Sequence, residues 1–215
     1  MRSFVKHSAV ALCCGVLSAC ASAEDELSVA SLRIDLPSTP GAIGAAAETH
    51  GLGKPAKPPS GFVDFCTRNA AECRAPNNAP SVVRFTPQLL ATLQEVNITV
   101  NKTIQPLDDS VHYGVIEFWT VPSDGYGDCD DYVLAKRKML TLLGVPQPAL
   151  RIAVVFTRRL VRHAVLTIVT DQGDYVLDNL RDDILLQSKT DYTWVERQDP
   201  ASSTGWTSLK LVANQ

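Results

Sequence analysis

The chain has 215 residues, of which 45% are hydrophobic and 20% charged, with a formal net charge of -3. This length allows one domain with a real core, and the composition is that of an ordinary globular protein. A slightly acidic chain without a basic stripe argues against a nucleic-acid partner.

The first residues read as an address. Arg2 and Lys6 are positive, and Ser8 to Leu17 is an apolar run too short to span a bilayer. Ala21-Ser22-Ala23 fits a signal-peptidase site, giving a leader of 1–23. Leu17-Ser18-Ala19-Cys20 fits a lipobox, giving a lipoprotein leader of 1–19 and a lipid anchor at Cys20, the one route to a membrane. Both patterns predict export. Cys66, Cys73 and Cys129 are the cysteines beyond either leader. In an oxidising compartment the close pair Cys66 and Cys73 is the natural disulfide, which leaves Cys129 as the free thiol.

Residues 24–60 are rich in Ala, Gly, Pro and Ser and predict an extended arm, with the folded domain at 61–215. Phe62 to Cys73 predicts a short helix and turn. Thr86-Pro87 opens a second helix, with Thr86 as cap and Pro87 at the first helical position, running to about Ile104. The sequons at Asn97 and Asn101 fall inside that helix and are read as chance. Ile104 to Trp119 reads as irregular.

A loop from Ser123 to Gly127 delivers Cys129 to the start of a third helix. Gly144 stops that helix near Leu143, and Pro146 blocks its continuation. The remainder predicts strands at 151–157, 161–170, 174–180, 192–197 and 206–212. Helices followed by hairpin-linked strands make the expected class α+β.

Cys129 in a first helical turn has free N–H groups and a dipole that favour a thiolate and can hold an oxyanion. His163 lies on an alternating strand pattern, and Asp178 falls on the next strand, where a hairpin can bring the two together. His7, His50 and His112 are less well placed. A thiol, an imidazole and an orienting carboxylate are the parts of nucleophilic acyl transfer. Asp128, Asp130 and Asp131 crowd the thiol with like charge. They either serve the helix N-terminus or, together with Asp124, hold a hard cation such as calcium. Trp119 and Tyr126 are near enough in sequence to line a cleft, and Trp119 equally suits the core.

These residues resemble the bacterial transglutaminase-like cysteine proteinases, the family of the LapG-type periplasmic proteases. The likeness rests on Glu117-Phe118-Trp119-Thr120 and on Asp124 through Tyr132. It continues through Ala135-Lys136-Arg137, His163 to Leu166 and Tyr175 to Leu180. The resemblance implies a papain/transglutaminase-like core with Cys129, His163 and Asp178 as catalytic triad. It also implies a periplasmic location and calcium on the acids flanking the nucleophile, Asp128 and Asp130. Asp130 stands where that family often has Glu. The expected function is a thiol protease acting on a periplasmic or cell-surface protein. Acyl transfer to an amine by the same acyl-enzyme, and a catalytically weak peptide-binding module, are the alternatives.

Overall fold

Seven antiparallel strands frame the fold, and His163 and Asp178 lie on two neighbouring strands of that sheet. The computed structural model describes residues 53–74, 78–199, 202 and 204–209. Both readings of the leader, the Cys20 anchor and most of the arm lie outside the described residues. In chain order the elements are β1 (Pro55–Ala56), α1 (Ser60–Arg68), α2 (Pro87–Thr103), β2 (Gln105–Pro106), α3 (Asp109–His112), β3 (Tyr126–Gly127) and α4 (Cys129–Leu142). Six further strands follow: β4 (Leu150–Phe156), β5 (Arg162–Thr170), β6 (Gly173–Asp178), β7 (Arg181–Leu186), β8 (Thr193–Gln198) and β9 (Trp206–Ser208). The large sheet has the order β1-β9-β8-β4-β5-β6-β7, while β2 and β3 form a separate parallel pair. The mixed α+β class is as expected.

The helices start and stop where side chains satisfy the orphan backbone groups. Thr86 accepts a hydrogen bond from the Leu89 N–H at 3.0 Å, and Pro87 opens α2. Leu89, Leu93, Val96 and Val100 then repeat on the buried side of that helix. Asn97 is fully buried and bonds the backbone of Asp178, Arg181 and Asp182, so its sequon has no glycan to carry. Gly144 ends α4 in the left-handed region at φ +93°, its N–H donating to the Thr141 carbonyl.

α1, α2 and α4 pack on one sheet face, around Phe62, Leu93, Leu134, Leu140, Ile152, Leu166 and Leu177. Each such side chain, fully buried, contributes about 1.5–3 kcal/mol. The other face is smaller: Ala153, Val155, Val165 and Val176, with Tyr192 and Trp194 laid over them. Every residue of β5 after Arg162 is therefore buried.

Four differences from the sequence reading have physical causes. Pro55–Ala56, assigned to the arm, pairs with β9 as an edge strand, a place where proline's missing N–H costs nothing. The stretch after Ile104 holds β2 and the short α3 instead of irregular chain. The predicted strand 174–180 stops at Asp178, and Arg181–Leu186 forms an unforeseen strand β7. Its Arg181-Asp182-Asp183 start suits an exposed sheet edge but conceals the strand from any hydrophobic pattern. β9 ends at Ser208, and positions 210–212 of the last predicted strand lie outside the described residues. The Cys66–Cys73 disulfide is formed, with Cα atoms 5.6 Å apart. It closes the turn after α1, and the Glu72 carbonyl inside that turn accepts hydrogen bonds from Arg137 and Gln147.

Candidate active site

The route to Cys129 is built by short-range chemistry. The Gly125 and Gly127 carbonyls accept hydrogen bonds from the N–H groups of Gln105 and Leu107, which fixes β3 alongside β2. Gly125 takes a left-handed φ of +84°. The Asp131 carboxylate reaches back to the Asp128 N–H at 3.3 Å and also accepts from the Thr120 N–H at 2.8 Å. This clamps the first turn of α4 to the preceding loop. A Cβ on Gly127 would lie 2.6 Å from the Asp131 carboxylate, so the glycine is required for that clamp. Cys129 is the first residue of the helix, half-buried and the free cysteine among the described residues.

His163 and Asp178 come from consecutive strands. The register pairs Leu166 with Leu177, so the two are diagonal neighbours on one face instead of directly opposed. His163 Nε2 lies 2.8 Å from Asp178 Oδ1, with both side chains buried. The Leu180 N–H also donates to Oδ1 at 3.0 Å, and the Tyr192 hydroxyl donates to Oδ2 at 2.5 Å. Burial pushes the Asp178 carboxyl up, but the His163, Leu180 and Tyr192 donors outweigh it and hold the group below its ordinary value. An ionised carboxylate only accepts. Nε2 of the neutral imidazole must therefore carry the proton, leaving the Nδ1 lone pair free. The Tyr192 ring stands edge-on to the imidazole, with centroids 5.9 Å apart.

The thiol shares the cleft with the imidazole. Its Sγ accepts a hydrogen bond from the Ala164 N–H at 3.4 Å, the amide next in sequence to His163, and not from the imidazole itself. Burial, followed by the charges of Asp130 and Asp128, pushes the Cys129 thiol well above its ordinary value.

The acids are packed tightly. Asp128, Cys129 and Asp130 bring ligand atoms within 4.8 Å of one another, and so do Asp109, Asp128 and Asp131. Asp109 Oδ1, Asp128 Oδ1 and Asp130 Oδ2 are buried without a hydrogen-bond partner. Burial and the Asp128 charge push the Asp130 carboxyl well up. Burial pushes Asp131 up to about 7, with the Thr120 N–H opposing and Asp128 adding. Buried carboxylate oxygens without donors are what a hard divalent cation takes as ligands. Asp109 was missed in the sequence because it lies in another element. Asp124 is not gathered with these groups: it pairs with His112 at 2.8 Å and caps the Tyr126 N–H.

A cleft of about 660 Å³ opens over these groups, lined by Cys129, His163 and Tyr192. Acids, among them Glu117, Asp128 and Asp130, form one wall, and the tip of the β4–β5 hairpin, Thr157 to Val161, forms another. Trp119 plays both roles considered for it, being buried against Phe62 while lining the cleft; Tyr126 lies elsewhere, against His112. Nothing along the chain singles out Tyr192. Its only signal was an aromatic at the start of a strand. Among the described residues, no helix is long and apolar enough to cross a membrane.

Residues 52–213 match the model of a family described as bacterial transglutaminase-like cysteine proteinase (BTLCP). No curated protein matches. Among solved structures, calcium-bound LapG of Legionella pneumophila is similar, with 26% identity over 54% of this chain and 67% of that one, at a TM-score of 0.46. A second LapG structure gives 25% identity over 54% and 66%, at 0.45. An EGTA-treated form gives 27% over 54% and 66%, at 0.46.

Proposed function

Because the chain belongs to the bacterial transglutaminase-like cysteine proteinases, and is thus a cysteine peptidase, we propose that Cys129, His163 and Asp178 are its nucleophile, base and orienting acid. One observation carries this reading. A buried imidazole, held from behind by a carboxylate, lines the same cleft as a free thiol at a helix N-terminus.

The Cys129 sulfur attacks the peptide carbonyl carbon while its proton passes to His163. The carbonyl π-bond opens onto oxygen, and the N–H groups of the first turn of α4 stabilise that oxyanion. The C–N bond breaks when His163 returns the proton to the leaving amine. Water, deprotonated by His163, then hydrolyses the thioester and frees the thiol. Asp178 holds the imidazole tautomer throughout.

The paired acids suit calcium, held by Asp128 and Asp130 with Asp131 behind them; Asp109 adds a fourth carboxylate. Asp128 is common to both groups, and the orphaned Oδ1 atoms of Asp109 and Asp128 and Oδ2 of Asp130 are the observation in favour. When bound, the cation supplies positive charge that offsets the acids beside the thiol. We further assign the chain to the periplasm, soluble after cleavage of residues 1–23 or anchored through Cys20, with a periplasmic or surface protein as substrate.

The test is alkylation of the purified protein by iodoacetamide, with and without EGTA, followed by peptide mapping. Fast labelling confined to Cys129, lost in His163→Ala and slowed by EGTA, supports the assignment. Labelling at an ordinary thiol rate in all three samples removes it.

A further inference from the structure

The part of the cleft lining supplied by the β4–β5 hairpin is cationic, and one of its charges is uncommitted. Arg158, Arg159 and Arg162 all line it. Arg158 pairs with Asp191 at 2.8 Å, and Arg162 pairs with Glu196 at 3.1 Å. Asp191 also lines the cleft, so its charge is already answered. Arg159 is exposed and, among the described residues, has neither ion pair nor hydrogen bond.

Its position is well defined. The Leu160 N–H donates to the Thr157 carbonyl at 2.8 Å, the Thr157 N–H to the Val161 carbonyl at 3.0 Å, and the Val161 N–H to Thr157 Oγ1 at 3.3 Å. These bonds close the turn around Arg158 and Arg159. Val161 and Leu180, which are 59% and 62% exposed, offer apolar surface in the same cleft.

We propose that Arg159 determines specificity, receiving a substrate carboxylate, so that the cleft takes extended peptide segments bearing Asp or Glu close to the scissile bond and an apolar neighbour against Val161 and Leu180. This rests on the peptidase reading above. The acids that also line the cleft, Asp108, Glu117, Asp128 and Asp130, repel a carboxylate. Substrate acid is thereby directed to the hairpin end, which makes the two walls an orienting device. A guanidinium suits this task because it stays charged and engages a carboxylate through two N–H groups.

The experiment uses one pool of capped peptides of balanced composition. The pool is passed over immobilised Cys129→Ala protein, and retained peptides are sequenced; the same pool is digested with wild type. For one exposed charge pair, enrichment of Asp and Glu among retained peptides should be about threefold. It should disappear in 0.5 M salt and turn toward Lys and Arg when Arg159→Glu is added. Retained peptides with the acid content of the input, or no retention at all, overturn the proposal. Acid-selective retention without any digestion by wild type leaves this inference standing and defeats the peptidase assignment. Digestion without acid preference does the reverse.

Discussion

Tyr192 and Asp178 are joined by a 2.5 Å hydrogen bond in which the phenol donates to Oδ2, the carboxylate oxygen that His163 does not use. The carboxylate is thus held from both sides and cannot rotate without losing a donor.

Tyr192→Phe keeps the ring and removes that donor. Hydrogen bonds to charged groups contribute about 1.5–3 kcal/mol, so the variant should lose stability near the lower figure at neutral pH. The sign with pH follows from Asp178. Its folded-state value is depressed, so its ionisation adds stability above the ordinary carboxylate value and this is lost as pH falls through the folded value. The gap between wild type and variant should therefore narrow in acid. Urea midpoints followed from pH 7 down through the acid range measure it, and a gap that stays constant through the protonation of Asp178 would mean the phenol does not act through Asp178. Alkylation of Cys129 should slow about fivefold, the effect of an imidazole held in less strict orientation.

Lys136 offers a test with the opposite sign. It is fully buried on α4, its Nζ has no hydrogen-bond partner, and it lies 5.8 Å from the centroid of the Tyr132 ring. Burial lowers its value from 10.5 to about 7, with the charges of Asp178 and Asp182 opposing. Between those limits the unfolded chain binds the extra proton, so stability rises with pH across that window. Lys136→Met should be more stable than wild type near pH 6, by about 2 kcal/mol, and lose that advantage toward pH 10. Equal denaturation midpoints at both ends would show that the ammonium is well solvated after all.

Asp130→Asn addresses the acid cluster without measuring catalysis. Calcium at about 100-fold over its dissociation constant should stabilise wild type by about 2.7 kcal/mol. In the variant the calcium-induced rise in melting temperature should largely vanish, while the metal-free protein melts higher because a buried like charge is gone. Calcium raising both proteins equally in differential scanning fluorimetry would place the ion elsewhere.

Replacing both Cys66 and Cys73 by Ser should cost about 2.5 kcal/mol, the loop-closure value for a crosslink spanning seven residues. The alkylation rate of Cys129 should be unchanged at temperatures where the variant is folded. A large fall in that rate would show that the Glu72 turn, gripped by Arg137 and Gln147, also positions the helix.

The helices and most of the central strands were legible because capping and periodicity are local. Thr86-Pro87 and Gly144 mark ends with chemistry that does not depend on the rest of the fold. The pairing of His163 with Asp178 and the place of Cys129 at the start of α4 were legible through residue type and order. What was hidden is tertiary. Lys136 and Arg137, which carry part of the family likeness, are both buried, and Arg137 grips the disulfide turn. Asp109 joins the acids from another element. Tyr192 reaches Asp178 across the sheet from the start of β8, a relation that no spacing along the chain encodes.

The imidazole and the carboxylate sit on a two-strand hairpin only 15 residues apart, whereas the thiol arrives on a helix that must dock from outside it. The hairpin can form by local closure, and docking requires longer-range assembly. A partly unfolded molecule therefore parts sulfur from base before it parts base from acid. On the proposed assignment, such a molecule exposes its loops while its own thiol and imidazole are apart, which would limit mutual digestion during biogenesis or heat stress.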